Sequence, residues 1–153
     1  MKPANHRSIT EPQDLPKVTV TRGDVRQDNR VGPYHPVNSA YVTLFWTRVI
    51  GPSGICLIRA IDELLTNLNV ESTEIDTYSL GHIIGVRWGG KHSTGRKAMN
   101  RLLGYHLAQW DETTSTYTVL TELPRIPYKE LSHLPTDLRP LHQQLIEQAL
   151  VAS

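Results

Sequence analysis

The chain has 153 residues, 39% hydrophobic and 20% charged, and sixteen Lys and Arg against fifteen Asp and Glu leave a formal charge of +1. That is the balance of one ordinary globular domain, and taken whole it offers no attraction to a polyanion, a membrane or an acidic substrate. The single cysteine, Cys56, excludes an internal disulfide and a CxxC metal knuckle, and apolar runs of about five to eight residues fall short of the ~20 that span a bilayer.

The N-terminal segment MKPANHRSITEPQD lacks an apolar stretch of the kind a secretory signal needs, so a cytoplasmic location without a membrane partner is expected. Residues 1–38 mix Pro, Gly, Asn, Asp and Arg and read as an extended, partly disordered arm. Within it Lys17–Thr21 alternates with period two, as a short strand or as a segment ordered only by docking. Prolines cluster before Ser53 and after Leu123 and are absent between, which marks the middle of the chain as the continuous regular structure.

Residues 39–123 read as the folded domain. Its first run, SAYVTLFWTRVI over Ser39–Ile50, fits a buried strand or a short helix. Gly51-Pro52-Ser53 then breaks the chain and opens a helix, whose stripe of Ile55, Leu57, Ile58, Ile61, Leu64, Leu65 and Leu68 recurs at helical spacing. Glu71–Asp76 reads as an acidic connection. Asp76 or Thr77 caps a two-turn helix with Leu80, Ile83 and Ile84 inward and Gly85 as a left-handed stop. After the glycine-rich Arg87–His92, Ser93 or Thr94 caps a helix to about His106 with Ala98, Met99, Leu102, Leu103 and His106 inward. Leu107–Trp110 and Thr116–Leu120 flank the polar turn Asp111–Ser115 as a hairpin. Residues 124–153 form a C-terminal extension: a short Tyr128–His133 segment, then a helix from Thr136 to about Val151 that tolerates Pro140 near its first turn.

The expected class is therefore mainly α with a small β-hairpin, and the order helix, short helix, glycine-rich connection, helix, hairpin over Gly51–Leu120 is that of a winged helix-turn-helix. The stretches GPSGICLIRAIDELL, IDTYSLGHIIGV and GGKHSTGRKAMNRLLGYHLAQWD resemble a group of winged-helix proteins of actinobacteria and their phages. There a GP opens the first helix, LG and a following glycine shape the second, and an arginine rhythm marks the recognition helix. The resemblance implies a DNA-binding regulator; composition and apolar spacing add the N-terminal arm and the C-terminal helix.

Charge distribution supports this independently. From Arg87 to Arg101 lie five basic residues and no acidic one; from Asp62 to Asp76 lie five acidic residues and no basic one. Arg96 and Asn100 are expected to read bases, because Arg matches guanine O6 and N7 and Asn matches adenine N6 and N7. Arg87, Lys91, His92, Ser93, Thr94, Lys97 and Arg101 are expected on the DNA backbone. The hairpin tip, Thr113–Ser115 beside Asp111 and Glu112, suits only light engagement. Arginines in the arm suit either a minor groove or a solubilising tail. Leu134, Leu138, Leu141 and Leu145 suit either a homodimer through the C-terminal helix or packing onto the first helix.

The remaining chemistry is sparse. Seven histidines show no ligand spacing and no paired carboxylates, so no metal is expected, and His82 and His106 are expected to pack. GxxxxGK[ST] and GxSxG are absent, so no nucleotide, no cofactor and no enzyme activity are expected. Cys56 reads as a buried thiol, and Trp88 as the tryptophan placed to be exposed. The alternative is a winged-helix module for protein partners, using Phe45, Trp46 and Trp88 or the acidic Asp62–Asp76 surface.

Overall fold

A computed structural model describes residues 17–24, 32–90 and 92–152. Most of the arm expected over 1–38 lies outside these residues, as do Lys91 and Ser153. The described chain is mixed α+β, with five helices and a small sheet.

Strand β1, Lys17–Gly23, buries Val18 and Val20 while Lys17, Thr19 and Thr21 face outward, the alternation a half-buried strand requires. A two-residue strand β2, His35–Pro36, follows. The ambiguous run Ser39–Ile50 is helical. A π-helical turn, Val42–Trp46, leads into helix α1, Thr47–Leu68. Its buried Val42, Phe45, Trp46, Val49 and Ile50 fall on one helical face, whereas a strand would divide them between two.

Gly51, at φ 81° and ψ 161°, breaks the helix at the expected place. Pro52 starts the second segment, where its missing amide costs little. Ile55, Leu57, Ile58, Ile61 and Leu65 are buried, and Asn69 in the left-handed region ends the helix. Because apolar runs join across Gly51, Val42–Leu68 is long and apolar enough to cross a membrane, with a mean hydropathy of 1.3; separate run lengths did not show this. Half of that window is buried inside the protein, as the central helix of its core.

The segment read as an acidic connection is instead strand β3, Ser72–Asp76. It pairs antiparallel with β1, Lys17 opposite Asp76 and Val20 opposite Thr73. Helix α2, Thr77–Ile84, begins where Asp76 accepts a 2.7 Å hydrogen bond from the Tyr78 amide and ends at left-handed Gly85. Leu80 is buried, but Ile83, expected inward, is 52% exposed because two turns present only one narrow face to the core.

Helix α3, Thr94–Gly104, is capped by Ser93, which accepts from the Arg96 amide. Ala98, Met99 and Leu102 are buried as expected. The helix stops short of His106, which takes a φ of 60° and is exposed rather than inward.

Strands β4, Ala108–Asp111, and β5, Thr116–Leu120, form the expected hairpin, Trp110 opposite Tyr117. Its turn is tightened by the Thr113 amide bonding Asp111 at 2.9 Å. The hairpin is not a free ribbon: the sheet order is β3-β1-β5-β4, with β1 parallel to β5. A segment assigned to the arm thus lies inside the sheet. Strand β6, Glu122–Leu123, pairs with β2.

Helix α4, Tyr128–Ser132, a 3-10 turn at Thr136–Leu138 and helix α5, Arg139–Ala152, complete the chain. His142 and Ile146 are buried, and Leu134, Leu138, Leu141 and Leu145 pack against the same core as α1.

Candidate nucleic-acid interface

The exposed face of α3 carries Thr94, Lys97, Asn100, Arg101 and Gly104, at the three- and four-residue spacings of one helical stripe. Arg87 and His92 are exposed in the preceding connection, and Ser93 is half-buried by its capping role. Lys91 lies outside the described residues.

Gly95 seats the start of this helix. Its amide donates to the Arg87 carbonyl at 2.8 Å, and a Cβ there would stand 2.6 Å from Trp88 Cε3 and 2.8 Å from that carbonyl oxygen. Trp88 is the wedge beneath the helix start and only 5% exposed, which corrects its expected placement on the surface.

Arg96 is the second correction. It is 6% exposed and does not lie on the outer stripe. Its charge acts on Tyr117 of β5, whose hydroxyl burial drives up in pKa and Arg96 partly draws back. The Tyr117 ring in turn packs on Trp110, centroids 4.6 Å apart. The first turn of α3 is seated on Arg87–Trp88 and the hairpin, whereas Asn100, one turn later, is exposed. Arg96 is therefore buried at the helix start rather than presented on the outer stripe with Lys97 and Asn100.

The two charge runs meet different fates. Asp62 takes Arg22 at 2.6 Å, Glu71 approaches the same guanidinium at 3.9 Å, and Glu74 meets Lys17 at 3.6 Å. Glu63 accepts from Asn67, and Asp76 caps α2. Strand β1 thus brings two cations, Lys17 and Arg22, to three of the five carboxylates of the acidic run. Among the ion pairs of the described residues, none involves Arg87, Lys97 or Arg101. Arg101 lies over the Gly51 break, with Nη1 3.5 Å from the Ile50 carbonyl.

Other expected features move as well. Phe45 and Trp46 are buried, the latter donating to the Pro124 carbonyl at 2.7 Å, so with Trp88 they form no aromatic surface. Cys56 is exposed, on the face of α1 turned from the core, and His82 is exposed rather than packed. Among the described residues no group of three or more His, Cys, Asp or Glu could hold a metal ion.

A buried polar cluster went unread in the sequence. Tyr41 Oη lies 2.8 Å from His142 Nε2 and accepts the Ile126 amide at 2.9 Å, while His35 stacks on the Tyr41 ring at 3.8 Å. Burial, then the charge of His142 and of Arg125, holds His35 down at about 4. Burial and Arg125 lower His142 too, and burial raises Tyr41 to about 12. No local pattern marks the cluster, because its members come from three distant parts of the chain.

Comparison with protein families, with curated proteins and with solved structures returns no match.

Proposed function

We propose that this chain binds duplex DNA as a winged-helix regulator of bacterial or phage origin, acting at the nucleoid, with α3 entering the major groove. The observation that carries the reading is the acid-free exposed stripe of α3, in a chain whose acidic run is partly offset by β1. Asn100 reads a base edge. Lys97, Arg101 and Arg87 hold phosphates, with His92, Ser93 and Thr94 at the helix start. The connection Gly85–Ser93 is longer than the roughly three or four residues of a tight helix-turn-helix, so α3 is positioned chiefly by Gly95 on Trp88.

Fluorescence anisotropy on a labelled random duplex tests this. With three or four phosphates contacted, log affinity falls against log salt with a slope of about −3 to −4. A Lys97→Ala, Arg101→Ala variant flattens that slope by about 2 while its circular-dichroism melt stays close to the parent's. Equal binding and equal slopes in both proteins would sink the proposal. Absence of binding by the parent, with no retention on heparin, favours the protein-interaction reading; its expected aromatics are buried, and the exposed Tyr78 and Ile83 of α2 would take their place.

A further inference from the structure

The C-terminal helices and the segment before them border an open pocket of about 430 Å³, within the roughly 300–1,000 Å³ of small-molecule sites. Buried His142 and Ile146 of α5 form its floor, and half-buried Leu131 of α4 forms a wall. Arg125, Arg139 and the exposed Tyr128 ring stand at its mouth. Ser132 and Gln143 add neutral polar groups, and none of the lining residues is acidic.

The electrostatics are one-sided. Neither Arg125 nor Arg139 takes part in an ion pair among the described residues. Arg139 is anchored through Nε, which donates to the Leu134 carbonyl at 3.2 Å, so its terminal nitrogens remain for another acceptor. The floor is fixed, since Tyr41 holds the His142 ring at 2.8 Å and the ring also packs edge-on against Phe45. Two arginines lining one pocket with Leu131 and Ile146 match a planar carboxylate on an apolar body: the guanidinium fork suits the head, and Leu131 and Ile146 suit the body.

We propose that this pocket binds a small organic acid, its carboxylate held by Arg125 and Arg139 and its apolar body laid on Leu131 and Ile146. The site lies on the C-terminal helices and stands apart from the DNA-binding reading of α3.

The test titrates the full chain with benzoate, its neutral isostere benzamide, and inorganic phosphate, followed by methyl chemical shifts in NMR. Benzoate is expected to shift the Leu131 and Ile146 methyls and to saturate below about 10 mM, with benzamide at least tenfold weaker. Phosphate, lacking an apolar body, is expected to leave those methyls in place. Arg139→Gln and Arg125→Gln, both changes of exposed residues, should each weaken benzoate about tenfold. Equal binding of benzoate and benzamide, unchanged benzoate affinity in both variants, or no methyl shift by about 10 mM would overturn the assignment. The parent comparison of acid with amide needs no variant, so it holds even if a substitution impairs folding.

Discussion

Arg96 and Lys97 are neighbours in the chain with opposite situations. Arg96→Ala removes a buried guanidinium beside Tyr117 and is expected to cost about 1–3 kcal/mol, while Lys97→Ala stays within about 0.5 kcal/mol; urea unfolding separates them. The helical spacing showed which residues share a face. It could not show how far the connection and hairpin climb over the first turn, so Lys97, Asn100 and Arg101 were legible as surface and Arg96 was not. The histidine cluster gives a second residue-scale prediction. His35 is neutral in the fold down to about pH 4, whereas in the unfolded chain it takes a proton near 6.5. The unfolded state therefore binds the proton first on acidification. The stabilisation is complete above about pH 6.5 and is lost as pH falls toward 4, on the order of 3 kcal/mol in all and about 2 kcal/mol by pH 5. His35→Phe keeps the stack on Tyr41 without a titrating group, so the difference between urea midpoints at pH 7 and pH 5 should shrink.

At the scale of elements, signals carried by neighbouring residues are legible in the sequence, and those that depend on pairing between distant segments are not. Asp76, Gly85 and Ser93 act as the caps their residue types suggest, because capping involves atoms only a few residues apart. Strand β3 carries no local strand signal, because it is held by pairing with β1, where Glu74 meets Lys17 from far away in the chain. Two glycines set the geometry around α3. Gly51 occupies a region of backbone space essentially closed to other residues, and Arg101 lies against it, so Gly51→Ala is expected to cost about 1–3 kcal/mol. Gly95→Ala forces a methyl onto the Trp88 ring and the Arg87 carbonyl. The expected outcome is a lower melting temperature together with changed tryptophan emission, since the helix start must lift from its wedge.

For the molecule as a whole, the formal charge of +1 is a sum over one partly offset acidic region and one open basic one. That was partly legible: the two charge runs stood in the sequence, but β1's part in offsetting one of them did not. The same strand makes the N-terminal region integral to the fold. Removing residues 1–23 would expose the inner edges of β3 and β5 and leave the space of Val18 and Val20 empty, so the shortened chain is expected to show no cooperative thermal transition by circular dichroism. The parallel pairing of β1 with β5 also bears on how the protein reaches its native state. Thr19 is made early in synthesis and Thr116 late, yet they are partners. During translation β1 must wait with its β5-facing edge unpaired until the hairpin has emerged. Such a long loop closure places refolding in the milliseconds-to-seconds range rather than the microseconds of a simple helical bundle. A nascent chain stalled before the hairpin would present an open strand edge to its neighbours, and that interval is when the protein is most exposed to aggregation.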